Sequence, residues 1–129
     1  MTLGSGPFVS LDVDDSWLYT AKFGQSQVER CPLTGCANGP PLFGNVMAMS
    51  VVVDAERAYV ADYDFFRWQP QPGGGIRQPK ILSCPIDGCA APGPVEVETG
   101  EISPYALAEH GDRLYFTNIE HGSVVSVRK

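Results

Sequence analysis

The chain has 129 residues, of which 43% are hydrophobic and 19% charged, with a formal net charge of −6. That length suits a single domain, and that apolar content argues against disorder. The nine Lys and Arg residues are scattered, so no basic footprint exists for nucleic acid or an anionic membrane surface, and no apolar run reaches the roughly 18 residues of a membrane-spanning helix.

Taken in order, the elements read as short strands. Met1 to Pro7 lacks a basic region and an apolar stretch, so it does not read as a signal peptide; Met1–Gly6 reads as the remnant of a fourth strand. Phe8–Val13 alternates apolar and polar residues, as a half-buried strand does. Trp17–Phe23 is rich in aromatic and β-favouring residues. Gln27–Pro32 follows, ending at a turn marked by Thr34 and Gly35. A second unit repeats the scheme with Ala48–Asp54, Arg57–Tyr63, Lys80–Pro85 and Pro94–Glu98. A third has Pro104–Glu109, Arg113–Ile119 and Ser123–Arg128. Asp14-Asp15, Asp54 to Arg57, and His110-Gly-Asp112 suit the tight turns between them. No window carries an apolar period of 3.6 residues, so the chain is read as all-β.

The units repeat. Leu18-Tyr19 returns about 40 residues later as Ala58-Tyr59, and about 56 residues after that as Leu114-Tyr115. The longer second step contains an insertion of about 13 residues within residues 64–80, and without it the period falls to about 43. Four-stranded units at that spacing belong to β-propeller blades. The blade units run about 7–47, 48–103 and 104–129, with Phe8–Val13, Ala48–Val53 and Pro104–Ala108 expected innermost. Together they make about two and three-quarter blades, fewer than a closed ring needs. The chain is therefore expected to be part of a larger ring, or to complete one with a second copy as a homodimer or with the remaining blades.

Cys31-Pro-Leu-Thr-Gly-Cys36 and Cys84-Pro-Ile-Asp-Gly-Cys89 are two copies of one Cys-x4-Cys pattern. Each pair would face across a tight hairpin at near disulfide distance, and two disulfides would imply an oxidising compartment and an exported, periplasmic or cell-surface parent. A zinc site of four thiolates and a set of reduced, inert thiols are the alternatives. The zinc reading needs both pairs to converge from adjacent units.

Arg113-Leu-Tyr-Phe-Thr-Asn118, followed by a Gly122 turn and the alternating strand to Val127, resembles the YWTD and NHL propeller repeats. Ala58-Tyr-Val-Ala-Asp62 is similar; Trp17-Leu-Tyr-Thr-Ala21 matches without the Asp or Asn. With the Cys-x4-Cys hairpin, the chain is similar to secreted or lipid-anchored myxobacterial propellers. The resemblance implies a six- or seven-bladed ring. Tyr19, Tyr59 and Tyr115 would then pack between blades, with Asp62 and Asn118 capping the second strands.

Signals for chemistry are thin. Asp64, Phe65, Phe66, Arg67 and Trp68 open the insertion, and exposed aromatics beside an Arg have the composition of a binding hot spot. With Asp62 and His121 they form the candidate binding set for a protein or carbohydrate ligand; the alternative is a loop folded back with Trp68 buried. His110 and His121 fall at opposite ends of their strand and cannot pair. Ser10, Ser50 and Ala106 follow no nucleophile-elbow spacing. Asp12 with Asp62 or Asp64 could contribute to a metal site, but the first strands supply mainly apolar positions: Val9, Leu11, Val13, Val51, Val53. Gly73 to Gly75 is a linker and not a phosphate loop. No catalytic residue and no cofactor is assigned. The reading is a non-catalytic binding or scaffold propeller; the alternative is part of a propeller hydrolase or lyase whose catalytic residues lie in other blades.

Overall fold

A computed structural model describes residues 2–22, 24–25, 27–36, 41–44, 46–63, 79–89, 93–100 and 103–129. Among them are eleven strands in three antiparallel sheets, and no helix. The first sheet runs β1 (Phe8–Val13), β2 (Trp17–Lys22), β3 (Gln27–Pro32), β4 (Pro41–Gly44). The second runs β5 (Ala48–Val53), β6 (Arg57–Asp62), β7 (Lys80–Pro85), β8 (Val95–Val97). The third has β9 (Pro104–His110), β10 (Arg113–Asn118) and β11 (Ser123–Arg128). Strands adjacent in sequence pair throughout, as short turns dictate. The chain is all-β.

The expected strands of the three units are present, with one addition, while the N-terminal fourth-strand remnant is not among them. β4 contains Pro41 and Gly44, residues that suppress a strand signal, and it pairs with β3 from Gln27 to Glu29. Residues 2–7 form no strand; Leu3 instead accepts a hydrogen bond from Cys36 N–H at 2.6 Å. All three sheets share one irregularity, a register shift near the start of the first strand, after Phe8, Ala48 and Pro104 respectively. Both early turns are stapled alike. Asp14 Oδ1 accepts from the N–H groups of Ser16 and Trp17, and Asp54 Oδ1 from those of Glu56 and Arg57, at 2.8–2.9 Å.

Two apolar layers hold the sheets together. Tyr19, Val28, Phe43, Val51 and Val60 fill the space between the first and second. Val52, Tyr59, Ile81, Leu114 and Phe116 fill that between the second and third. The side chains of the first strands add polar stitches. Ser10 Oγ accepts from Val51 N–H at 3.1 Å, Asp12 Oδ2 from Val53 N–H at 2.8 Å, and Ser50 Oγ from Leu107 N–H at 3.0 Å. These donors lie on the free edges of β5 and β9, where a backbone N–H without an acceptor would cost about 1–3 kcal/mol.

One expectation needs correction. The alternation in β1 is real but inverted: Val9, Leu11 and Val13 point outward, while Ser10 and Asp12 face the second sheet. Tyr19 and Tyr59 are buried between sheets; Tyr115, at the same position in the third sheet, is 36% exposed.

Each Cys-x4-Cys pair is a disulfide. Cys31 bonds Cys36 and Cys84 bonds Cys89, with Cα atoms 5.1 and 5.2 Å apart. The geometry follows from the turn: Gly35 N–H donates to Pro32 O and Gly88 N–H to Pro85 O, each at 3.0 Å. Gly88 sits at φ +133°, where a side chain is rarely accommodated. The four cysteines stay in two local pairs, which removes the four-thiolate zinc reading.

Candidate functional site

A cleft of about 470 Å³ opens between the first and second sheets, at the end carrying the β1–β2, β5–β6 and post-β7 turns. Its walls include Asp15, Trp17, Arg30, Asp54, Ile86 and Asp87. Trp17 enters from the start of β2, and Arg30 from β3 diagonally across it, a distance that long side chains span. The Arg30 guanidinium carbon lies 4.1 Å from the centre of the Trp17 ring. Its Nη1 donates to Ile86 O at 2.6 Å and approaches Asp87 Oδ1 at 3.4 Å. Arg30 thus stacks on its own sheet and bridges to the next. The side chain of Asp87 is almost wholly in solvent, so that ion pair adds little by itself.

Asp14 forms the floor. Its Oδ2 accepts from the Tyr19 hydroxyl at 2.7 Å. Burial opposes the Asp14 charge, but hydrogen bonds from Ser16, Tyr19 and Trp17 and the nearby Arg30 guanidinium hold its pKa below the ordinary value. Burial, then the hydrogen bond and charge of Asp14, push the Tyr19 hydroxyl well up.

The matching site between the second and third sheets is filled from within. Asp54 Oδ2 accepts from the Tyr59 hydroxyl at 3.2 Å and from Lys129 Nζ at 2.7 Å. Lys129 also reaches Glu109 Oε2 at 2.7 Å. Burial raises the Tyr59 pKa, helped by the Asp54 charge, to about 12. Neither a protein-family model nor a curated protein matches the chain.

The residues singled out from sequence lie elsewhere. Asp62 ends β6, away from the cleft; it is buried, and its Oδ1 accepts from Met47 N–H at 2.8 Å. It ties the end of β6 to the segment before β5. Asn118 is buried at the corresponding end of β10. His121 is exposed in the turn between β10 and β11. Asp64, Phe65, Phe66, Arg67 and Trp68 lie outside the described residues. Asp12, weighed as a metal ligand, accepts from Val13 and Val53 N–H groups. Among the described residues no group of three or more His, Cys, Asp and Glu is placed to hold a metal ion.

Trp17, Arg30 and Asp87 were missed. A signal for them exists in the repeat. At the corresponding diagonal, Arg57 Nε donates to Ser83 Oγ at 2.6 Å and Arg113 Nε to Ser126 Oγ at 3.2 Å. The first unit reverses the arrangement, with the bulky aromatic on the second strand and the cation on the third. That departure marks the cleft.

Proposed function

We propose that the chain is a non-catalytic binding or scaffold module whose sheets are β-propeller blades of the YWTD or NHL kind, and that the Trp17–Arg30 cleft is its ligand site. The observation that carries this reading is how the polar side chains are used. Asp12, Asp14, Asp54 and Asp62 all accept from backbone N–H groups, and the cysteines are paired. These aspartates and cysteines are engaged in holding turns and sheets. What remains accessible around the cleft is an aromatic ring, a stacked guanidinium and the exposed carboxylates of Asp15 and Asp87. With the net charge of −6, that surface favours a protein segment offering Lys or Arg. The two disulfides accord with an exported parent.

Titration calorimetry with a Lys/Arg-containing peptide and an acidic control tests this. The basic peptide is expected to bind more weakly as salt rises, with Trp17→Ala and the double change Asp15→Asn, Asp87→Asn each weakening it about tenfold or more. Equal binding of both peptides, or indifference to Trp17→Ala, overturns it.

A further inference from the structure

The two contacts between sheets are built from the same positions. In the first contact Ser10 meets Val51 N–H and Tyr19 is fully buried. In the second Ser50 meets Leu107 N–H and Tyr59 is buried. The third sheet has Ala106 and Tyr115 at these positions, on the face turned away from the second sheet. There Tyr115, Ala106, Ala108 and Val124 line an open apolar groove, with Val124 73% exposed. At the other end of the stack, Leu11 and Val13 are 63% and 51% exposed. Their counterparts Val51 and Val53 on β5 are covered by the first sheet.

We infer that the open face of the third sheet docks on the open face of the first sheet of a second copy, so that two copies bury both faces reciprocally. The proposal stands on the sheet contacts and is independent of the ligand cleft. The two open faces are the front and back of one repeated contact, so each already has the other's shape as its partner inside the chain.

The charges agree. Where the second and third sheets meet, Lys129 bridges Asp54 and Glu109. The corresponding positions in the proposed contact are Leu33 for Lys129, His110 for Asp54 and Val13 for Glu109. All three charges are replaced as a set, so the contact buries no unpaired carboxylate or ammonium there, which would be strongly unfavourable.

The edges agree too. Among the described residues β3 and β7 carry a fourth strand beside them, and β11 is paired on one side only, with β10. Residues 2–7 precede β1 as residues 42–47 precede β5, and β4 (Pro41–Gly44) is the fourth strand of the sheet in front of β5. Residues 2–7 thus hold the place in front of β1 that a fourth strand would take, tied there through Leu3 O and Cys36 N–H. Docking sets the outer edge of β11 beside them. Unpaired edges seek such partners.

Size exclusion with light scattering between about 1 and 100 µM tests the proposal. A dimer is expected that Leu11→Asp and Ala108→Asp each convert to monomer. His110→Asp and Leu33→Lys are each expected to weaken it about tenfold, and the double variant to restore it by re-creating the Lys129–Asp54 pairing across copies. As a check that does not depend on the charged variants folding, the pair Val13→Cys and Ala108→Cys should cross-link between copies on oxidation. These positions correspond to Val53 and Asp12, which touch across the first contact. A monomer at the highest concentration, a dimer indifferent to Leu11→Asp, a double variant no tighter than the singles, or failure of the cross-link overturns the proposal.

Discussion

Lys129 Nζ lies 2.7 Å from Asp54 Oδ2, joining the end of β11 to the turn before β6. The two side chains are only 13% and 21% exposed, so the pair is more than a surface ion contact. It fixes the third sheet on the second at the end opposite Asp62.

The first prediction concerns that pair. Burial opposes the Asp54 charge, but the Lys129 ammonium and the N–H groups of Glu56 and Arg57 lower its pKa below 3.8. Burial likewise opposes the Lys129 charge, yet Asp54 and Glu109 raise its pKa above 10.5. Asp54 therefore contributes stability present above pH 3.8 and lost as pH falls through its lower native value. Lys129 contributes stability present below pH 10.5 and lost as pH rises through its higher native value. Lys129→Met is expected to cost about 1–3 kcal/mol at neutral pH. Asp54→Asn should also flatten the acid limb in urea melts from pH 2 to 7, a range of about five units. Parallel acid limbs for wild type and variant would count against it.

The second concerns the tyrosines. The Tyr19 and Tyr59 pKa values both lie above 10.0 in the folded chain. Each hydroxyl contributes stability that is complete below pH 10.0 and lost as pH rises through the native value, about 12 for Tyr59. Ultraviolet difference absorbance should show two hydroxyls ionising only with alkaline unfolding. Tyr19→Phe and Tyr59→Phe should each remove one, at a cost of about 0.5–1.5 kcal/mol. Ionisation of either near pH 10 in the native chain would contradict the hydrogen bonds to Asp14 and Asp54.

The third concerns the hairpin disulfides. Non-reducing peptide mapping of oxidised protein should recover Cys31 with Cys36 and Cys84 with Cys89. Because each loop is short, reducing either bond should cost less than the ~3 kcal/mol of a 15-residue loop. Gly88→Ala places a side chain at φ +133° and is expected to cost about 1–3 kcal/mol by thermal melting. A peptide joining Cys31 or Cys36 to Cys84 or Cys89 would refute the pairing.

The sequence by itself determined the all-β class and most strand positions, and it set each cysteine pair close enough for a local disulfide. Those are short-range properties: alternation over six residues, turn residues such as Asp14 and Gly88, and two cysteines one tight turn apart. β4 escaped because Pro41 and Gly44 give no strand signal, and its place depends on pairing with β3. Only the tertiary structure decided which side of each strand is inside. Alternation in Phe8–Val13 sets a period but not its sign, and the sign follows from the free N–H groups of Val51 and Val53, which draw Ser10 and Asp12 inward and leave Leu11 outside. The cleft was hidden for the same reason. Trp17 and Arg30 lie on different strands, and Asp87 belongs to the next sheet. They form one site only because the sheets stack with Ile86 O within reach of Arg30.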